Sequence, residues 1–358
     1  MRVVITGATG NVGTSVLSAL AHEAEVESIV GVARRAPSVS FPKVTWRSAD
    51  VTRDDLEAVF AGADAVVHLV WVVQPNHDEG ALQQVNVDGT VRVLEAVARA
   101  EVPVLICASS FGAYAPRPDR TPVDESWPTH GIPGSWYSRQ KAYVEALVDR
   151  FELAHPDVRV VRFRSALVLK REAAAEAHRL YGGPLLPRAL ARRGVLPVVA
   201  GVPGLRAQAV HSADVGQAYR LALVSDVRGA FNLAVDPVLD ARSLAAVLGA
   251  RCAGRVPPRL LRAGVAASWK LWLQPTSPDW VDLLVQPPLL DTTRALRELG
   301  WAPTRNAVDT LREFVEGIAD GAGGRTPPLL PLTESRPSFR PDRPRVSTVT
   351  EWVRPPPG

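Results

Sequence analysis

The stretch TGATGNVG, Thr6 to Gly13, follows the apolar run RVVI and leads directly into TSVLSAL. Glycine costs backbone entropy inside any regular element, so three glycines at intervals of three mark a break between elements. The arrangement reads as strand, tight turn, helix. In that setting Gly7 permits the turn off the strand, Gly10 lets the backbone approach a pyrophosphate, and Gly13 lets the helix pack closely. The phosphates would lie at the helix N-terminus, where free N–H groups and the dipole favour an anion. Thr9, Asn11 and Val12 complete the turn and are candidate contacts of the same ligand.

The following residues repeat that alternation. RVVIT, ESIVGVA, KVTWRSAD, DAVVHLVWVV and PVLICASS are short, rich in Val and Ile, and bounded by turn residues. Helix-like segments lie between them at Val12 to Ala24, Arg53 to Ala61 and Leu82 to Ala100. Near-continuous apolar strands alternating with helices predict an α/β, doubly wound parallel sheet covered on both faces. A helix, YSRQKAYVEALVDRFELA, and a strand, VRVVRFRSALV, follow.

After about residue 165 the alternation loosens into Pro-, Gly- and Arg-rich connections. The expected division is a nucleotide-binding domain over 1–165, with returns to the sheet near 207–236, and a smaller, mainly helical, discontinuous substrate lobe over 166–318. Residues 319–358 hold nine of the 31 prolines and little periodicity. They are expected to form an irregular Pro-rich tail, extended, disordered or draped over the body. Trp269, Trp272 and Trp280 are spaced either to line a pocket or to form the core face of a helix, and the core face is the expectation.

Composition narrows the function classes. The net charge of +4 comes with 37 arginines and four lysines, and the arginines scatter instead of forming a stripe. Nucleic acid is therefore not expected as a partner, whereas a small-molecule ligand is. Cys107 and Cys252 lack disulfide or metal-like spacing, and the seven histidines show no ligand pattern, so no metal is expected. No apolar run reaches the roughly 18 residues of a membrane span, and the glycine turn begins too early for a signal peptide before it. A cytoplasmic protein without membrane contact is the expectation.

An NAD site usually places an acid about 20 residues past the glycine turn to hold the ribose 2′-OH. Here the second strand ends in Ala33, Arg34 and Arg35. Two guanidinium groups suit the 2′-phosphate of NADP, so NADP is favoured and NAD stays open. Asp50 and Val51, at the end of the third strand, are placed to meet the adenine. In YSRQK, Tyr137 and Lys141 are four residues apart and share a helix face. A neighbouring ammonium is expected to lower the phenol pKa toward the working range, making Tyr137 a general acid/base. Ser109 and Ser110 add hydroxyls at the carboxyl edge of the sheet, where open α/β folds bind ligands.

Together these residues resemble the extended short-chain dehydrogenase/reductase superfamily, specifically its NAD-dependent epimerase/dehydratase family, over roughly residues 1 to 315. The motifs carrying the resemblance are TGxxGxxG at Thr6 to Gly13, Asp50-Val51, HLV at His68 to Val70, NVDGT at Asn86 to Thr90, SSFGAY, YxxxK, HSAD at His211 to Asp214, and LGWAP. The resemblance implies a Rossmann sheet, with Ser110, Tyr137 and Lys141 as catalytic residues and Asn86 steadying the site. It also implies that His68, Leu69 and Val70 border the cofactor, and that the chain forms a homodimer through the helices at Leu82 to Ala100 and Tyr137 to Ala154. Glu125 matches a family acid. Ser165 stands where nucleotide-sugar epimerases carry an Asn, and Ala115 where a glycine follows the family tyrosine, which weakens a nucleotide-sugar reading.

Three functions remain in view. The leading one is an NAD(P)-dependent oxidoreductase moving hydride between nicotinamide C4 and a carbonyl or secondary alcohol of a small apolar substrate. The others are a nucleotide-sugar epimerase or dehydratase that retains its cofactor, and a non-catalytic NADP-sensing or binding protein.

Overall fold

Val3 and Ile5 enter one hydrophobic core while Val4 enters another, so the first strand is buried on both faces. This is the period-2 alternation of a strand with helices on either side. The computed structural model describes residues 1–334 except 75, 76, 118, 120, 184 and 185.

The strands are β1 (Arg2–Thr6), β2 (Ser28–Ala33), β3 (Val44–Ser48), β4 (Ala65–His68), β5 (Val104–Ser110), β6 (Arg159–Ser165), β7 (Leu167–Leu169), β8 (Val198–Gly201), β9 (Ala207–His211), β10 (Gly229–Leu233), β11 (Val235–Leu239) and β12 (Cys252–Arg255). The helices are α1 (Asn11–Leu20), α2 (Glu57–Phe60), α3 (Glu79–Gln83), α4 (Gly89–Arg99), α5 (Trp136–Ala154), α6 (Ala174–Ala177), α7 (Ser212–Leu223), α8 (Ala241–Leu248), α9 (Pro258–Lys270), α10 (Asp279–Val285), α11 (Thr293–Arg297) and α12 (Ala307–Asp320).

Seven strands form one parallel sheet in the order β10-β6-β5-β4-β1-β2-β3. On one face α1 and α7 pack Val16, Leu17, Leu20, Val215 and Tyr219 against the sheet. On the other, α4 and α5 supply Val93, Val97, Val148 and Phe151. The strand order reverses at β1, whose neighbours are β2 and β4, which opens a crevice beyond the carboxyl ends of β1 and β4. The doubly wound parallel expectation holds.

The second half departs from expectation in two ways. Of the expected sheet returns, β10 joins the main sheet, but β9 pairs with β7 and β11 in a separate three-stranded sheet. With the β8–β12 pair this sets two small sheets into a lobe that is otherwise mainly helical, as expected. Nor does the tail begin at 319, because α12 runs to Asp320 and stops at Gly321 in a left-handed cap. Beyond it, Thr326 and Leu329 are buried, and the Thr326 hydroxyl donates to the Thr9 carbonyl at 2.7 Å. This stretch is draped over the glycine turn, while the rest of the expected tail, 335–358, lies outside the described residues.

Candidate functional site

Gly7 adopts φ +73°, the left-handed region that glycine tolerates, and a Cβ there would lie 2.9 Å from the Leu69 carbonyl carbon. A Cβ on Gly13 would lie 2.4 Å from the Gly7 carbonyl oxygen, so the turn folds onto the first turn of α1. Gly10 meets nothing nearer than 3.5 Å, leaving its face open for a close ligand. Gly10 caps α1 without a side-chain bond, so no side chain at the cap takes up the first-turn N–H groups. Asn11 donates to the Val168 carbonyl at 2.8 Å, while its Oδ1 is buried with no donor among the described residues. The open Gly10 face and the first-turn N–H groups of α1 fit a dinucleotide pyrophosphate. Beneath the turn lies a cation that sequence reasoning passed over: Lys170 Nζ bonds the Asn11 carbonyl, Thr14 and Ser15 at 2.7 to 3.1 Å. Burial pulls its pKa down to about 8 against the charges of Glu172 and Glu176. As one of four lysines in the chain it carried a signal of rarity.

Arg34 and Arg35 are exposed just past β2, and neither makes an ion pair among the described residues. Asp50 is occupied locally, accepting from the Thr52 amide at 3.0 Å and hydroxyl at 2.8 Å. Val51 is buried in the core, so its side chain packs there. His68 is likewise engaged on both nitrogens, by Thr6 at 2.8 Å and Thr90 at 3.1 Å. Burial, with the Lys141 charge, drives its pKa down to about 3, so its ring is a neutral structural group. Leu69 and Val70 bring backbone to within about 3 Å of a Gly7 Cβ position, bordering the crevice.

Ser110, Tyr137 and Lys141 meet at the carboxyl end of β5. Ser135 caps α5 and sets the helix so that Tyr137 and Lys141 face the strand end. The Ser110 hydroxyl accepts from the Gly112 amide at 3.1 Å and bonds the Tyr137 phenol. The expectation that Lys141 lowers the phenol pKa is not met: burial raises Tyr137 to about 12, with the Ser110 bond opposing. The physical reason is where the ammonium points. Lys141 Nζ donates to the Ala108 carbonyl at 3.3 Å and lies 3.5 Å above the Trp71 ring. Burial in turn lowers Lys141 to about 7, opposed by the charge of Glu145.

The other predicted site residues take supporting places. Asn86 is fully buried in a π-helical turn between α3 and α4, accepting from the Val72 amide at 2.8 Å and donating to Gln140 at 2.9 Å. It braces the chain beside Trp71 and the residue before Lys141, so it positions the site and does not touch its reacting atoms. Ser109 donates to Glu145, away from the crevice. Glu145, four residues beyond Lys141, also binds Arg162 at 3.2 Å and Arg164 at 2.9 Å. Burial pushes its carboxyl up, but the Arg164 bond and the two guanidinium charges outweigh that and hold it below its usual value. Glu125 accepts from the Asn232 amide at 2.7 Å, a structural tie. His211 caps α7, and Asp214 accepts from Thr304.

The tryptophans divide. Trp269 lies on α9, none of whose residues is buried, and Trp272, just past it, is 61% exposed, so neither is core; they stack on His77 at 4.0 and 3.8 Å. Trp280 instead sits 5.2 Å from the Tyr137 ring, joined there by Trp71 at 5.8 Å and Trp136 at 6.0 Å. Neither Trp71 nor Trp136 was singled out in sequence, because an isolated tryptophan beside a motif has no periodicity to give it away. Among the described residues no cluster of His, Cys, Asp and Glu is placed to hold a metal, and no helix is long and apolar enough to cross a membrane.

The model of the NAD dependent epimerase/dehydratase family matches residues 3–234. An uncharacterized protein of Mycobacterium tuberculosis is 28% identical over 332 residues, covering 91% of this chain and 31% of its own length. This chain therefore spans about a third of the length of that curated relative. An L-arabinose 1-dehydrogenase (NAD(P)(+)) of Haloferax volcanii is 29% identical over 187 residues, covering 49% of this chain and 70% of its own. The solved structure of Thermus thermophilus UDP-glucose 4-epimerase in complex with NAD superposes with TM-score 0.64 at 21% identity, covering 89% of this chain and 99% of that one. The family match extends from β1 through β10, every strand of the main sheet, and the chain belongs to the NAD dependent epimerase/dehydratase family.

Proposed function

We propose that this protein is an NADP-dependent oxidoreductase that reduces a carbonyl group of a small apolar substrate, or oxidises the matching secondary alcohol. The observation that carries the reading is the meeting of Ser110, Tyr137 and Lys141 beside the glycine turn. When bound, the nicotinamide supplies or accepts the hydride. Ser110 polarises the carbonyl oxygen through its hydroxyl, and Tyr137 passes the phenolic proton to that oxygen. A phenol held near 12 is fully protonated at neutral pH, the state a proton donor needs. The Lys141 ammonium, directed at the Ala108 carbonyl and not at the phenol, would hold the ribose hydroxyls of the bound nucleotide. Arg34 and Arg35, exposed past β2, would take the 2′-phosphate that separates NADP from NAD.

Arg206, which lines a small pocket with Phe111 and Leu283, favours a second reading in which the substrate carries a phosphate, as a nucleotide sugar does. An epimerase of that kind keeps its cofactor and consumes no net NADPH. Titrating the protein with NADPH and NADH by tryptophan fluorescence tests the cofactor reading, and the Arg34→Ala, Arg35→Ala double variant is its control. Tighter binding of NADPH, lost in the double variant, is the expected result. Equal binding of both nucleotides overturns the NADP assignment, and cofactor that cannot be removed on purification favours the epimerase.

A further inference from the structure

Helix α9 turns an apolar stripe to solvent. Leu260, Ala263, Gly264, Ala267 and its cap Leu271 recur at i, i+3, i+4, i+7 and i+11, one side of a helix, and all five are exposed. Leu260 and Leu271 are 67% and 68% exposed, and a Cβ on Gly264 would meet nothing within 4 Å. Trp272 and Leu273 follow the helix and are exposed as well. The packed side of α9 is the other one: Leu261, Val265, Ser268 and Trp269 are half-buried, with Trp269 stacked on His77.

Cations stand beside this stripe. Arg259 and Lys270, eleven residues apart, share a side of α9 next to it, and both are exposed. They belong to a stretch, 241–278, with six cations and no acid; a second stretch, 177–213, has five cations and no acid. The net charge of the whole chain is only +4, so the rest of the chain is net negative. The fold brings the two stretches together: β8 of one pairs with β12 of the other, and Arg193 donates to the Ala246 carbonyl at 3.1 Å. Of their eleven cations only Arg262 forms an ion pair among the described residues, with Asp282 of α10 at 3.0 Å. Charge that scatters along the sequence is thus segregated in the lobe.

The occupant of such a face must bring negative charge and accept apolar side chains together. A second copy of the chain would set the same cations against these, at a cost in repulsion. The outer side of a helix is convex, which suits a fluid surface that closes around it better than a rigid partner needing a matching groove. An anionic bilayer offers both parts, phosphate headgroups for the cations and an acyl boundary for Leu260, Leu271 and Leu273, with tryptophan favoured at the level between them. The sequence argued against a membrane from the lack of a spanning run, but a helix lying in the interface needs none.

We propose that α9 and residues 271–273 dock this protein on an anionic phospholipid surface, the apolar stripe entering the headgroup boundary and Arg255, Arg259 and Lys270 meeting the phosphates.

The test is sedimentation of the full chain with vesicles of phosphatidylcholine alone or mixed equally with phosphatidylglycerol, at about 0.1 M salt. Wild type should bind the mixed vesicles at least about tenfold more tightly than the neutral ones. Arg259→Gln with Lys270→Gln should weaken that binding about twentyfold, since each cation at an anionic surface is worth about fivefold. Arg150→Gln with Arg297→Gln, exposed cations outside the lobe, should leave it unchanged. Leu260→Ser with Leu271→Ser should weaken it about tenfold or more, and because both side chains are exposed the urea midpoint should hold. Equal binding to both kinds of vesicle, or to neither, overturns the proposal. So does an equal loss in the Arg150 and Arg297 variant, which would show diffuse attraction to the whole chain, or full binding by the serine variant, which would show adsorption without insertion. A concentration-dependent dimer that the serine variant abolishes, with no vesicle binding, overturns it in favour of self-association.

Discussion

Two residues four apart on α5 are given opposite treatment by burial. The neutral phenol of Tyr137 is favoured and held near 12, while Lys141 loses its proton near 7. A lysine pKa below its usual value means that the ammonium is present below about 7 and lost above it. For ketone reduction, kcat/KM should therefore fall as pH rises through about 7, well before Tyr137 titrates. Lys141→Arg, whose charge persists at all working pH values, should move that limb beyond the measurable range. A limb that stays near 7 in the arginine variant would assign the titration to another group. His68 has the same kind of shift with a consequence for stability. Its pKa is about 3 when folded and near 6.5 when unfolded, so between those values the unfolded chain binds the extra proton. Its contribution is complete above 6.5 and is lost as pH falls toward 3. His68→Gln should cost about 1–3 kcal/mol at pH 7 by disturbing the bonds to Thr6 and Thr90, and urea titrations from pH 7 to 4 should show a shallower loss of stability than wild type.

At the scale of elements, α5 and β6 are tied by charge as well as by packing. Arg162 reaches Glu145, Asp149 and Glu152 along α5, and Arg164 reaches Glu145 and the Tyr114 hydroxyl. Glu145 is 1% exposed, so removing it would leave two buried guanidinium groups short of their partner. Glu145→Ala should cost about 3–5 kcal/mol in urea unfolding, the usual penalty for breaking a buried ion pair from one side. A loss below about 1 kcal/mol would show that Asp149 and Glu152 compensate. A second tie is steric: α7 crosses α1 at Gly216, where a Cβ would lie 2.5 Å from the Ser15 carbonyl oxygen. Alternation alone gave no hint of that crossing, because it depends on the approach angle of two helices far apart in the chain.

For the molecule as a whole, the C-terminal stretch ties the second lobe to the glycine turn. Arg179 donates to the Leu330 carbonyl at 2.8 Å and also to that of Pro328, Leu329 is buried at 2% exposure, and Thr326 reaches Thr9. Ending the chain after Gly321 should cost about 2–4 kcal/mol, from the lost Leu329 burial and the bonds of Thr326 and Arg179. An unchanged urea midpoint would show that this stretch adds nothing. By itself the sequence determined the parallel sheet, the glycine turn after β1 and the pairing of Tyr137 with Lys141. Each is written in local spacing: period-2 apolar runs, glycines at intervals of three, and residues four apart on one helix face. Only the tertiary structure decided that β9 leaves the main sheet, that Lys170 lies beneath the glycine turn, and that Trp71, Trp136 and Trp280 surround the phenol. It also decided the direction of the Tyr137 shift. A pKa follows from what surrounds a group in space, and here burial outweighs a nearby ammonium that points at the Ala108 carbonyl and the Trp71 ring.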